Sequence, residues 1–292
     1  MRIRIGTRGS PLARWQAEHV RQRLETLGHE VTLHFITTTG DRTPGALEAV
    51  GGKGAFLKEI EEALLAGEVD LAVHSLKDVP TALPKGLALG AILERADPRD
   101  VVVSDGAGLD GLPAGARVGT TSLRRRALLG HLRPDLEVVD LRGNVDTRLR
   151  RLRSGDFDAV LLAMAGLSRL GRAFEATEAL DPERFVPAPG QGAIALETRE
   201  GDLSVGEATR PLHHEPTARA VGAERAYLAA LGGGCNVPLG ALARETSEGL
   251  RLVAFLADPG GGHLVRGLAT GGEPEELGRR VAAQVERARS TR

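Results

Sequence analysis

The single cysteine of the chain, Cys235, lies in the segment Leu231-Gly-Gly-Gly-Cys-Asn-Val-Pro-Leu-Gly240. Three glycines before the sulfur and a proline three residues after it predict a tight loop, not the middle of a helix or strand. A thiolate on such a loop can act as a nucleophile, a metal ligand or a point of covalent attachment. A lone cysteine is also commonly a small buried apolar residue. The loop by itself leaves these alternatives open.

A carboxylate in a favourable position for chemistry is Asp78, in the segment Ser75-Leu-Lys-Asp-Val-Pro80. The segment directly follows a predicted buried strand over residues 69–74. In an open α/β sheet, the carboxyl ends of the strands are the usual place for ligands and chemistry. The alternative for Asp78 is a structural one, either as a helix N-cap or as a surface partner of Lys77.

Arginines are concentrated in residues 117–153, which contain ten arginines against four acidic residues. Arg124 and Arg125 follow one predicted strand at the start of a helix, Arg142 and Arg148 repeat this arrangement, and Arg169 follows the next strand. Helix N-termini favour anions, and arginine binds carboxylates through two parallel hydrogen bonds. The cluster therefore predicts a cleft for a small polycarboxylate, whereas for any one arginine a solvated basic face is the alternative.

Composition excludes several other classes of function. With 292 residues, 41% of them hydrophobic, and a net charge of -1, the chain is an ordinary globular protein of two or three domains. One cysteine excludes a disulfide framework, and aromatic residues at 3% make a poor platform for single-stranded nucleic acid. No apolar signal region follows the first residues, and no run approaches about 18 apolar residues. We expect a cytoplasmic protein.

The glycine-rich segment Gly51-Gly-Lys53-Gly54 invites comparison with a phosphate-binding loop. The Gly-Lys-Ser/Thr ending and the spacing of that motif are missing. We therefore expect a mobile loop over a cleft and not a nucleotide site.

The first helix is predicted between Ser10, a good N-cap followed by a proline, and Gly28, which ends it. Its apolar and aromatic side chains recur at helical spacing. They are Leu12, Trp15, His19, Leu24 and Leu27.

The order of predicted elements indicates an α/β fold in several domains. Residues 2–37 predict a strand, a helix and a strand. A polar crossover over 94–100 and a Pro/Gly-rich crossover over 185–192 bracket a second α/β region, so that the chain returns to complete the first. A third, small α/β region presents Cys235. We expect three domains, formed by residues 1–95 with 191–212, by 99–187 and by 215–292.

Seven segments, in order along nearly the whole chain, resemble the hydroxymethylbilane synthase (porphobilinogen deaminase) family. They are Thr7-Arg-Gly-Ser-Pro-Leu-Ala, Gly51-Gly-Lys-Gly, Val73-His-Ser-Leu-Lys-Asp-Val-Pro, Gly119-Thr-Thr-Ser-Leu-Arg-Arg, Leu141-Arg-Gly-Asn-Val-Asp-Thr-Arg, Pro189-Gly-Gln-Gly and Gly233-Gly-Cys-Asn-Val-Pro. The resemblance implies two periplasmic-binding-protein-like (type II) domains joined by a double-stranded hinge, and a smaller C-terminal α/β domain with the cofactor cysteine. It further implies a monomer without a metal.

The resemblance also implies a chemistry. A dipyrromethane cofactor is joined by a thioether to Cys235, four porphobilinogen units are added head to tail with loss of ammonia, and water releases hydroxymethylbilane. Asp78 matches the catalytic aspartate, which stabilises the azafulvenium cation formed as ammonia leaves.

Further positions match those that bind the acetate and propionate groups of cofactor and substrate. They are Arg8, Ser10, Lys53, Ser75, Lys77, Thr120, Ser122, Arg124, Arg125, Arg142, Arg148 and Arg169, while Gln191 and Gly192 match a hinge-side segment near the pyrroles. Gly232, Asn236 and Thr121 depart from frequent family residues without removing chemistry. An alternative is a small-anion binding module of the same fold without catalysis, but it leaves Cys235 and Asp78 unexplained.

Overall fold

The computed structural model of the chain describes residues 1–42, 56–232, 237–258 and 262–290. The predicted loop at Gly51-Gly-Lys53-Gly54 and Cys235, the predicted attachment residue, lie outside these ranges. Among the helices within them, none is long and apolar enough to cross a membrane.

The described elements alternate between strands and helices along most of the chain. The strands are β1 (Arg2–Arg8), β2 (Glu30–Ile36), β3 (Leu71–Ser75), β4 (Leu87–Ile92), β5 (Asp100–Ser104), β6 (Arg117–Gly119), β7 (Glu137–Val139), β8 (Ala159–Ala163), β9 (Glu178–Ala179), β10 (Ile194–Arg199), β11 (Leu239–Thr246), β12 (Gly249–Ala257) and β13 (Leu264–Gly271). The helices are α1 (Pro11–Thr26), α2 (Thr39–Arg42), α3 (Lys58–Leu65), α4 (Leu123–Leu132), α5 (Val145–Arg153), α6 (Met164–Arg169), α7 (Leu203–Thr209), α8 (Glu215–Ala230) and α9 (Pro274–Ser290).

The first sheet has the strand order β2-β1-β3-β10-β4. Strand β1 is parallel to β2 and β3, whereas β10 is antiparallel to β3 and β4. The antiparallel strand β10 comes from the part of the chain that follows the second predicted crossover. The expectation that the chain returns to complete its first α/β region is therefore confirmed.

The second sheet repeats this arrangement in the order β7-β6-β8-β5-β9. Strand β6 is parallel to β7 and β8, and β5, which follows the first crossover, is antiparallel to β8 and β9. In each sheet, the fourth strand in this order is antiparallel to the third and directly follows a crossover. This strand is β10 in the first sheet and β5 in the second. This mixed α/β architecture confirms the expected periplasmic-binding-protein-like class.

The chain divides into two compact units. Unit 1 comprises Met1–Ala96 and Ala193–Ala218, and unit 2 comprises Asp97–Gly192 and Arg219–Arg292. The C-terminal part of unit 2 has its own antiparallel sheet, β11-β12-β13, with its own apolar core. The three-domain boundaries taken from the sequence stay a prediction.

The buried face of the first helix differs from the face predicted by apolar spacing. Ser10 caps α1 as expected, with its Oγ accepting a hydrogen bond from the Ala13 amide at 3.4 Å, and Gly28 has a φ of +85°. Trp15 and Leu27, however, are 37% and 45% exposed. The side chains that α1 buries are Gln16, Ala17, Val20 and Leu24, and Trp15 stacks on His19 instead.

Candidate functional site

The turn that carries Asp78 follows the end of the buried strand β3. A short 3₁₀ turn, Leu76–Asp78, follows the strand, and the Leu76 amide donates a hydrogen bond to the Ala193 carbonyl at 3.0 Å. Asp78 is half-buried. Its carboxyl group makes no hydrogen bond or ion pair with any residue in the described ranges, and it is the last residue of the turn, not its cap. No structural role for this carboxylate is visible there.

Buried side chains contact the last two residues of strand β3, just before this turn, on opposite faces of the sheet. Gln16 of α1, 2% exposed, donates from Nε2 to the Ser75 Oγ at 2.8 Å. On the other face, the buried His74 and Glu197 approach to 3.0 Å between Nε2 and Oε2. Burial and the nearby Glu197 charge raise the pKa of Glu61 in α3. Sequence reasoning missed Gln16, His74 and Glu197, because each partner is distant along the chain.

Arg8 and Ser10 lie at the carboxyl end of β1. Arg8 forms an ion pair with Asp41, with 2.5 Å between Nη2 and Oδ1, and its guanidinium lies 4.2 Å from the centre of the Phe56 ring. Burial would raise the pKa of Asp41, but hydrogen bonds from Arg8 and Thr38 lower it on balance. A ligand carboxylate bound by Arg8 would have to compete with Asp41. Lys77 is half-buried in the turn after β3.

The start of α4 in unit 2 follows β6 directly. Thr120 is 1% exposed, and its Oγ1 accepts a hydrogen bond from the Ser122 amide at 3.2 Å. Ser122 caps the helix, with its Oγ accepting from the Arg125 amide at 3.4 Å. The predicted arrangement of a strand end, hydroxyl groups and a helix N-terminus is present.

Arg124 and Arg125 are buried around a carboxylate that the sequence did not single out. Asp100, the first residue of β5, is fully buried, and its oxygens accept from Arg124 Nη1 at 2.7 Å and from Arg125 Nη2 at 2.7 Å. Arg124 also donates to the Val186 carbonyl, and Arg125 to the Leu161 carbonyl. Burial by itself would raise the pKa of Asp100, but the two guanidinium charges lower it to about 2.

This burial predicts a large stability effect for Arg124→Leu. The substitution leaves Asp100 paired with Arg125, but it removes the hydrogen bonds that Arg124 donates to Asp100 and to the Val186 carbonyl. Because each buried acceptor left without a donor costs about 1–3 kcal/mol, we expect the free energy of unfolding to fall by about 2–5 kcal/mol. The neighbouring Arg126 pairs with Asp140, whose side chain is 67% exposed, so Arg126→Leu should cost less than about 1 kcal/mol. Urea unfolding followed by circular dichroism measures both variants. If the two variants lost the same free energy of unfolding, the Asp100 cluster would contribute no more to stability than a surface ion pair.

The remaining predicted arginines of unit 2 lie in the loop before α5, in α5 and at the end of α6. Arg148 in α5 is half-buried and donates from Nε to the Gly143 carbonyl at 2.8 Å. Burial, together with the Arg125 charge, lowers its pKa to about 10. Arg169, at the end of α6, donates from Nη2 to the Gly192 carbonyl at 2.6 Å, and burial lowers its pKa to about 10. Arg142 is exposed.

The predicted hinge-side pair Gln191 and Gly192 forms a tight buried turn. Gln191 is 1% exposed and donates from Nε2 to the Pro98 carbonyl at 2.7 Å. Gly190 and Gly192 have φ angles of +73° and +90°, a conformation that favours glycine. The two predicted crossovers therefore touch each other inside unit 2.

Within the described ranges, no group of three or more His, Cys, Asp and Glu side chains could hold a metal ion. The site residues instead form two chemical environments. Unit 1 presents the carboxylate of Asp78 without a partner among the described side chains. In unit 2, Arg124 and Arg125 are buried around one acid, Asp100, and the charge of the half-buried Arg148 is repelled by that of Arg125. A buried excess of positive charge is a binding site for anions.

Comparisons with known proteins agree with this chemistry. The chain matches two family profiles, "Porphobilinogen deaminase, dipyromethane cofactor binding domain" over residues 3–207 and "Porphobilinogen deaminase, C-terminal domain" over residues 218–287. Curated porphobilinogen deaminases from Rubrobacter xylanophilus and Syntrophotalea carbinolica are 52% and 54% identical to it, covering 97% and 90% of this chain and 93% and 85% of their own lengths.

Among solved structures, the VFT2 domain of Bordetella pertussis BvgS aligns with 75% of this chain and 90% of its own, at 18% identity and a TM-score of 0.44. The family profiles together span most of the sequence, and the curated relatives are about half identical to it over nearly its full length. The chain belongs to the porphobilinogen deaminase family.

Proposed function

We propose that the chain acts as a hydroxymethylbilane synthase in tetrapyrrole biosynthesis. It joins four porphobilinogen molecules head to tail, with release of ammonia, onto a covalently bound dipyrromethane primer, and hydrolysis then releases hydroxymethylbilane. Family membership and the names of the curated relatives support this activity. The structural observation that carries it is the buried excess of positive charge in unit 2.

The residues in unit 2 fit a ligand that carries several carboxylates. Arg124, Arg125 and Arg148 bring three positive charges, and Asp100 supplies one negative charge. Arg148 makes no ion pair with an acid among the described residues, and its lowered pKa reflects burial of an uncompensated cation. Acetate and propionate groups, which every pyrrole of the cofactor and substrate carries, would supply the missing negative charge.

Several residues would hold the cofactor. Cys235 would form the thioether, the capped N-terminus of α4 at Thr120 and Ser122 offers a site for a carboxylate, and Arg148 would pair with another. When bound, the cofactor supplies the pyrrole carbon to which the first substrate is joined.

The residues of unit 1 would act on the substrate. Asp78 would hold a fixed negative charge where positive charge develops on the substrate as ammonia leaves, which stabilises the transition state. The hydrogen bond from Gln16 occupies a lone pair of the Ser75 hydroxyl, and so leaves its proton for a substrate oxygen. Substrate carboxylates would be bound by Arg8, Ser10, Lys53 and Lys77. At Arg8, a substrate carboxylate would replace Asp41 as the partner of the guanidinium group.

The experiment that tests this function follows the intact mass of the protein during reaction with porphobilinogen. The purified chain should exceed its sequence mass by two pyrrole units and then gain mass in one-pyrrole steps, with ammonia released at each. Since Arg142 lies in the loop before α5, Arg148 in α5 and Arg169 in α6, their leucine variants should stall at different steps or lack the initial excess. Each lost charge-assisted hydrogen bond removes about 1.5–3 kcal/mol of binding.

Arg126→Leu is the matched control, because its surface pair with Asp140 has no proposed part in binding. Equal weakening in all three variants, without altered intermediates, would reduce the arginines to a general electrostatic attraction. A small-anion binding module would show neither the mass excess nor ammonia release. The double-stranded hinge, cytoplasmic location, monomeric state and absence of a nucleic-acid partner stay predictions.

A further inference from the structure

Glu224 of α8 is a buried acidic residue that the proposed chemistry does not use. It is fully buried, with 0% of its surface exposed. Its Oε2 accepts a hydrogen bond from the Gly190 amide at 2.7 Å, and its Oε1 accepts one from the Ala243 amide at 2.9 Å. One carboxyl group therefore joins α8 to β11 and to the turn before Gly192, all inside unit 2.

The turn that Glu224 holds also contacts Arg169. The backbone amide of Gln191 donates to the Ala188 carbonyl at 2.9 Å and closes the turn. The side-chain amide of Gln191 donates to the Pro98 carbonyl and attaches the turn to that residue. The next residue, Gly192, accepts the hydrogen bond from Arg169 Nη2 at 2.6 Å. The position of the turn thus determines where the Gly192 carbonyl meets this guanidinium.

Strand β11 packs closely against the same crossover. The Ala241 amide donates to the Pro187 carbonyl at 3.0 Å. At Gly240, a Cβ atom would lie 2.7 Å from the Val186 carbonyl oxygen and 2.9 Å from that of Pro187, distances that side chains do not tolerate. The contact between β11 and the crossover therefore requires glycine at this position.

We propose that Glu224 is a positioning residue for Arg169. By holding the Gly190 amide it fixes the Gly192 carbonyl, and this carbonyl orients the guanidinium that the proposed function assigns to ligand carboxylates. The inference rests on that function for the role of Arg169. The anchoring of the turn itself can be tested without substrate.

The first test is hydrogen–deuterium exchange on the purified Glu224→Gln protein. Glutamine keeps the size of the side chain but has a single acceptor oxygen, so it can serve only one of the two amides, and its NH₂ group opposes the other. We expect faster exchange in peptides covering residues 185–192 and 240–244. Tyr227→Phe is the matched control, since it removes a buried hydrogen bond from the same helix to the Phe255 carbonyl, 2.9 Å away.

The second test compares the intermediates formed with porphobilinogen. Glu224→Gln should stall at the same step as Arg169→Leu, with turnover reduced about tenfold or more, because small displacements of binding groups cost large factors in rate. The double variant should stall as Arg169→Leu does, without a further change, since both substitutions act on one contact. Tyr227→Phe should keep the wild-type pattern.

The proposal is overturned if Glu224→Gln matches Tyr227→Phe in both measurements, or if its effect adds to that of Arg169→Leu. A wild-type protein without mass steps would overturn the proposed function, while exchange at residues 185–192 would still report on the anchor. If Glu224→Gln does not fold, Gly240→Ala displaces β11 from the same crossover, and it should accumulate the intermediate seen with Arg169→Leu. A wild-type pattern in Gly240→Ala would equally refute the coupling.

Discussion

Replacing Cys235 by serine is expected to yield a folded protein with no mass excess and no turnover. A thiol, with a pKa near 8.5, forms a thiolate that can make the thioether, whereas a serine hydroxyl at neutral pH stays protonated. Without its covalent primer the protein has no chain end to extend. Intact mass and ammonia release from porphobilinogen measure the two effects, and circular dichroism establishes that the variant folds.

Because the chain contains one cysteine, a thiol count provides the control for this experiment. Loaded wild-type protein, denatured and treated with a maleimide, should show no reactive thiol, since a thioether does not react. Protein prepared without the cofactor should show one thiol per chain. Full turnover in Cys235→Ser, or an active wild type with a free thiol and the plain sequence mass, would contradict the assignment.

The second large effect is expected for Asp78→Asn. The carboxylate acts on charge that exists mainly in the transition state, so kcat should fall by about 10²- to 10⁴-fold while substrate binding changes little. Stability should hardly change, because the Asp78 carboxyl group makes no hydrogen bond or ion pair with the described residues. Steady-state kinetics and thermal unfolding measure the two quantities on the same preparation.

Asp70, at the other end of β3, offers the matched control. Its carboxylate accepts hydrogen bonds from the Arg4 side chain at 2.7 and 3.0 Å and from the Arg4 amide at 2.9 Å. Asp70→Asn should therefore lower the free energy of unfolding by about 1–3 kcal/mol and leave kcat unchanged. Wild-type turnover in Asp78→Asn at saturating substrate would show that Asp78 has no catalytic role.

Apolar patterning and turn signals predicted most of the strands and helices, since these depend on neighbours close in sequence. The strand predicted over residues 69–74 corresponds to β3, and α1 begins directly after its predicted cap, Ser10. The short strand β9 and helix α7 were not predicted. Strand β9 has two residues and is formed by its pairing with β5, so local pattern carries little signal for it.

The motifs also located the positions of the candidate site, because strand ends and helix caps are local features. Asp78 follows β3, Ser122 caps α4, and Arg148 and Arg169 lie on the helices after successive strands. Cys235 and Lys53 lie outside the residues that the structure describes, and their roles rest on the sequence resemblance.

What the sequence determined by itself is therefore the order of elements, the family and the residues able to do the chemistry. The tertiary structure decided which of these residues are held by others. It showed Arg124 and Arg125 around Asp100, Ser75 oriented by Gln16, and Glu224 anchoring the turn beside Arg169. Asp100 lies 24 residues before Arg124, and Glu224 lies 34 after Gly190. Hydrogen bonds over such separations depend on how the sheets and helices pack, and no local pattern encodes them.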